Sequence, residues 1–75
     1  MIMTNVDKLV VAFDERRHSL MKDGYNIITS TYTDKFMYNK FRHSNGNYVS
    51  IIAYIDDCSI VQRTNGKVVH NEKVC

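Results

Sequence analysis

The stretch SNGNYVSIIAYIDDCSIVQRTNGK, residues 44–67, decides the fold. It opens and closes on Asn-Gly. That pair tolerates the positive φ angles which a type I′ turn requires at both central residues, so each copy predicts a two-residue hairpin. Between them lie Val49, Ile51, Ile52, Tyr54, Ile55, Ile60 and Val61, residue types that favour an extended chain on a half-buried surface. Asp56-Asp57 interrupts this run. Short carboxylates bond neighbouring amides, so the pair predicts a further turn.

Working outward, the same residue types continue through YNIITSTYTDKFMYNKFRH, residues 25–43, with a weaker turn signal at Thr33-Asp34. Strands are expected near 25–32, 35–43, 48–55, 58–63 and 68–71. Before Tyr25 the period changes. Val6, Leu9, Val10, Phe13, Leu20 and Met21 recur at helical spacing, Thr4 and Asp7 resemble a capping box, and Gly24 suits a left-handed stop after Lys22. A helix over 5–22 follows, with Asp14, Glu15, Arg16 and Arg17 marking its wet side. The fold class is α+β: one N-terminal amphipathic helix packed on one face of a four- or five-stranded antiparallel β-meander, in a single domain, 1–75.

Composition sets limits on what this domain does. Seventy-five residues with 44% hydrophobic and 24% charged side chains suffice for one small core and are too apolar for a disordered chain. A formal charge of +2 supplies no strong field toward nucleic acid or anionic membrane. The apolar run Leu9–Phe13 is broken by Asp7, Asp14 and Glu15, so it is neither a signal peptide nor a membrane span. Cys58 and Cys75 form at most one bridge, and Cys75 stands at a fraying terminus. The expectation is two reduced thiols, a cytoplasmic setting and a complete small gene product.

Two-residue turns also assign faces, because directly opposed residues share a side and sides alternate along a strand. One face then carries Ile27, Phe36, Tyr38, Val49, Ile51, Ala53, Ile55, Cys58, Ile60 and Val69, the core beneath the helix. The other carries Ile28, Tyr32, Met37, Phe41, Tyr48, Ile52, Tyr54, Val61 and Val68, with Asn39, His43, Ser50, Arg63 and His70 among them. This second face is too apolar for plain solvent surface, and a single helix cannot cover both sides.

Catalytic and metal readings find little support. Tyr54-Ile55-Asp56-Asp57 matches the turn through which palm-type polymerases present carboxylates to magnesium. Those enzymes need a further aspartate and domains that hold the template, which 75 residues cannot supply. His18, His43, His70, Cys58 and Cys75 show no paired ligand spacing, and a Cys58–His70 nucleophile pair would use a residue assigned to the core. No metal, cofactor or enzymatic activity is expected.

The preferred function is a non-catalytic protein-interaction module: a dimer-forming regulator or inhibitor of phage or mobile-element type, acting as a homodimer or on a larger protein. Its partner-binding residues would be Tyr32, Met37, Phe41, Tyr48, Ile52, Tyr54, Val61 and Arg63, since interface cores favour Tyr, Phe, Met and Arg. The alternative is a nucleic-acid-binding module using Lys35, Tyr38, Lys40, Arg42 and His43, a strand that interleaves cations with rings. Against it, the assigned alternation splits this set across both faces.

Overall fold

The computed structural model describes residues 2–75. Helix α1 (Asn5–Lys22) is followed by strands β1 (Tyr25–Tyr32), β2 (Phe36–His43), β3 (Tyr48–Tyr54), β4 (Ser59–Thr64) and β5 (Lys67–Lys73). The strands form one open antiparallel sheet in chain order, the expected meander with five members. At the start of α1, the Thr4 hydroxyl accepts from the Asp7 amide and the Asp7 carboxylate accepts from the Thr4 amide, both at 3.1 Å. At its end Gly24 takes φ +98° and donates to the Met21 carbonyl. Among the described residues no helix is long and apolar enough to cross a membrane.

Leu9, Phe13 and Leu20 of α1 are buried against Phe41, Val49, Ile51, Ala53 and Ile60 of the sheet. Each large side chain removed from water contributes roughly 1.5–3 kcal/mol, so these few contacts carry the fold. The helix crosses the sheet between two corners. Its first turn sits where the Asn5 carbonyl lies 3.6 Å from the Cys58 sulfur. Its last turn meets His43, whose Nε2 lies 3.2 Å from the Asp23 carbonyl. Arg16 belongs less to the wet side than its neighbours suggest: it reaches the sheet and binds Gln62 and Glu72.

The two Asn-Gly turns differ, and the difference moves a strand. At Thr64–Lys67 both Asn65 (φ +51°) and Gly66 (φ +85°) are left-handed, giving the expected two-residue hairpin. At the other copy only Gly46 is left-handed (φ +92°). The Gly46 amide donates to the His43 carbonyl and the His43 amide donates to the Asn47 carbonyl, both at 2.9 Å. Three residues, 44–46, therefore make the turn, and β2 slides by one residue relative to the two-residue case. Arg42 opposes Tyr48, Phe41 opposes Val49 and Asn39 opposes Ile51.

A one-residue slip exchanges the faces of a strand. The assignment of β2 is corrected accordingly. Phe41 and Asn39 are fully buried beneath α1, and Met37 packs against the same core. Phe36, Tyr38, Lys40 and Arg42 point to the other side. The Ser30 and Tyr32 hydroxyls lie 3.0 and 2.9 Å from the Asn39 amide nitrogen, which gives that nitrogen partners in the core and places Tyr32 on the helix side too; the buried Oδ1 has no partner among the described residues.

Bulges adjust both outer strands. The pairing shifts between Ile27 and Thr29, leaving Ile28 out of the β1 ladder. It shifts again at Gln62/Arg63, where His70 and Val68 are the successive partners and Val69 is left over. Val69 is 56% exposed, which removes it from the expected core.

The reduced-thiol expectation is also corrected: Cys58 and Cys75 are disulfide-bonded, with Cα atoms 5.7 Å apart. Strand β5 stays paired to Lys73, and the Val74 amide donates to the Cys58 carbonyl at 2.8 Å, so the terminus is held beside the β3–β4 turn instead of fraying. Disulfides persist in oxidising surroundings, and the cytoplasmic setting inferred from free thiols loses that support.

Two measurements check this architecture. Phe41→Ala should cost about 3–5 kcal/mol in chemical denaturation, most of what so small a domain holds, whereas Tyr38→Ala should cost about 1 kcal/mol. Equal costs would contradict the register. The bridge closes a loop of sequence separation 17. Its reduction should lower the unfolding free energy by roughly 3 kcal/mol, seen as a large drop in Tm with reductant that is absent in Cys75→Ser.

Candidate functional site

The face of the sheet away from α1 is built from residues opposed across strands, so it can be described as rows. At the end nearest the 44–46 turn, Arg42 of β2 faces Tyr48 of β3. The next row runs Lys40, Ser50, Arg63 and Val68 across β2 to β5, and the next Tyr38, Ile52, Val61 and Asn71. The last row is Phe36, Tyr54, Ser59 and Lys73. Rows on one face are about 6.7 Å apart and adjacent strands about 4.8 Å apart.

Charge on this surface has one sign. Lys40, Arg42, Arg63 and Lys73 stand on it. The carboxylates lie elsewhere: on α1 and its cap (Asp7, Asp14, Glu15, Asp23), in the turns (Asp34, Asp56, Asp57), or on the helix side of β5, where Glu72 accepts from Arg16 at 3.0 Å. A formal charge of only +2 thus conceals a sorted distribution. The acidic turns Asp34 and Asp56-Asp57 flank the row of Phe36 and Tyr54, whereas Lys40, Arg42 and Arg63 gather toward the opposite end.

That end is also concave. A cavity of about 470 Å³ is lined by Tyr38, Lys40, Tyr48, Ser50 and Arg63 and walled by the turn residues Asn65 and Gly66. The Tyr48 ring holds two cations in place, with Lys40 Nζ 5.2 Å and the Arg42 guanidinium carbon 5.6 Å from its centroid. Each such contact contributes about 0.5–1 kcal/mol when exposed, enough to bias where a flexible cation points. Asn65 fixes the wall: its Oδ1 accepts from the Tyr48 amide at 2.9 Å and its Nδ2 donates to Asn47.

The expected site residues are now divided differently. Tyr48, Ile52, Tyr54, Val61 and Arg63 stand on the open face, as the alternation predicts. Tyr32, Met37 and Phe41 leave it for the helix side, and Phe41 is 0% exposed. In their place come Tyr38, Lys40 and Arg42, which join the tyrosines instead of being separated from them. Lys35 lies in the β1–β2 turn. His43 is structural: its Nδ1 accepts from the Asn45 amide, and its ring meets Tyr25 edge-on with centroids 4.9 Å apart.

Sequence reasoning missed Asn65 and Lys73. Asn65 was legible only as a turn residue, and Lys73 lies past the expected end of the fifth strand. Asp56 and Asp57 occupy the turn between β3 and β4, as expected. Comparison with known protein families, with curated proteins and with solved structures finds no match to this chain.

The tyrosine–cation arrangement has a direct spectroscopic consequence. The ε-methylene protons of Lys40 should resonate upfield in NMR spectra because the Nζ they adjoin lies over the Tyr48 ring. Tyr48→Leu should return them to their ordinary position without changing the fold. Unchanged Lys40 shifts would show that the ring does not hold this cation.

Proposed function

We propose that this chain is a small non-catalytic binding module whose open sheet face takes single-stranded nucleic acid. One observation supports the choice above others: the register of β2 sets Tyr38, Lys40 and Arg42 on the same uncovered surface as Tyr48, Tyr54 and Arg63, with no carboxylate among them. Rings on a flat sheet stack with unpaired bases, and nearby cations neutralise the phosphates that link those bases. A duplex hides its bases, and a sheet face of this width offers no helix to a major groove. Among the described residues the face has no carboxylate, thiol or imidazole beside its hydroxyls, the groups that most often move a proton near neutral pH.

The protein-interaction reading keeps one supporting feature, the half-buried pair Ile52 and Val61 at the centre of the face. Self-association there meets an electrostatic objection. A two-fold dimer opposes a surface to its own copy, so Lys40, Arg42, Arg63 and Lys73 would be packed against like charges. A protein bound on this face would need an acidic surface, and a regulator or inhibitor of that kind is the second reading.

Fluorescence anisotropy with labelled single-stranded and duplex oligonucleotides, alongside light scattering, separates these readings. The single strand should bind a monomer, more tightly than the duplex and more weakly as salt rises. Replacing Lys40 and Arg42 together by Ala should flatten the slope of log affinity against log salt by roughly 1.4, the loss of two phosphate contacts on a single strand. Tyr54→Ala should cost about 1–3 kcal/mol of stacking. A salt-insensitive dimer that binds no oligonucleotide would overturn the proposal.

A further inference from the structure

We propose that the cavity over Ser50 is a seat for one nucleotide, its phosphate held between Lys40 and Arg63 and its base laid against Tyr38. This rests on the nucleic-acid reading of the face and narrows it to one place. Lys40 opposes Ser50 and Ser50 opposes Arg63, so the two cations bracket a hydroxyl on three adjacent strands. Their Cα atoms are about 10 Å apart by strand spacing, and both long side chains reach an anion centred above the middle strand. The serine hydroxyl supplies a donor from below, where a longer side chain would fill the space.

The rings beside this row are not equivalent. Tyr48 already carries Lys40 and Arg42 over its ring, so its part is to hold cations at the rim. Among the described residues no cation lies over Tyr38, one row toward the centre and half-buried, and its ring is the surface left for a base. The volume, about 470 Å³, falls within the range of small-ligand sites and is far too small for a stretch of polymer. Asn65 at the wall has both its amide oxygen and its amide nitrogen engaged, with Tyr48 and Asn47. These bonds hold the amide in the orientation that the turn requires, and the seat should accept the common bases with little preference.

The test is calorimetric titration and amide NMR mapping of the whole chain with adenosine monophosphate, adenosine and inorganic phosphate. The monophosphate should bind best and shift the amides of Ser50, Arg63 and Tyr38. Adenosine and phosphate alone should each be at least about tenfold weaker, since each makes only half of the contacts. Arg63→Ala and Ser50→Ala should each weaken the monophosphate by about tenfold, with Arg63→Lys recovering part of the loss, while Lys8→Ala on α1 changes nothing. Thermal melts establish that each variant is folded, and Tyr38→Leu supplies a second test that removes the ring while keeping an apolar side chain.

Shifts centred on another row, or monophosphate affinity indifferent to Arg63 and Ser50, would overturn the seat. The two proposals fail separately. Oligonucleotide binding at full strength by the Arg63→Ala and Ser50→Ala variants would sink the seat and leave the face. Monophosphate binding without any oligonucleotide binding would sink the reading of the face and leave the seat. Binding of neither would overturn both.

Discussion

The rest of the structure depends on the corner where residues 43–47 meet the end of α1. The hydrogen bond from the Gly46 amide to the His43 carbonyl fixes a three-residue turn, and the turn fixes how β2 lies on β3. The same histidine ties this turn to the helix. Since Nδ1 accepts from Asn45, Nε2 carries the proton and donates to the Asp23 carbonyl. Gly24 leaves room for this, because a Cβ there would lie 2.8 Å from His43 Nε2. Helix end, turn and register are therefore one mechanical unit, and the composition of both sheet faces follows from it.

From that corner the energetic logic runs in one direction. The register puts Phe41 into the core, where a ring is needed to fill the space under Leu9, Phe13 and Leu20. It simultaneously puts Tyr38, Lys40 and Arg42 outside, the two cations lying over the Tyr48 ring. A chain this short cannot cover both sides of a five-stranded sheet with one helix, and the side it leaves bare is the one from which acids are missing. The helix side thus carries the stability and, on the proposed reading, the bare side the binding, with the disulfide at the far corner adding what the small core lacks.

Much of this was legible in the residues. The helix, both its caps and the strand order follow from spacing, from Thr4, Asp7 and Gly24, and from turn residues that the chain places between apolar runs. The faces of β3 and β4 also follow, because Val49, Ile51, Ala53 and Ile60 alternate with more polar neighbours and only one register buries them. Strand β2 resists this reasoning. Phe36 and Tyr38 compete with Met37 and Phe41 for the core, and the polar Asn39 sits on the side that is buried, so alternation does not choose between the two faces. The deciding signal was the turn, and there the two Asn-Gly copies look alike although Asn65 is left-handed and Asn45 is not. Ser44 and Asn45 suit a type I turn closed by a left-handed glycine as well as they suit the primed form. The disulfide was illegible for a different reason: it depends on β5 running to Lys73, beyond the apolar residues that mark it as a strand.

The two bulges bear on how such a protein survives at high concentration. An open sheet has two unsatisfied borders, and a straight border invites another chain to add itself as the next strand, the first step of fibril growth. Here Ile28 interrupts one border and Val69 the other, each by a residue that the ladder skips. The skipped residue bends and twists its strand, so an incoming segment would find its amides out of step after a few residues. A molecule that leaves tyrosines, isoleucine and valine uncovered is thereby guarded at its margins, and its stickiness is confined to the middle of the sheet.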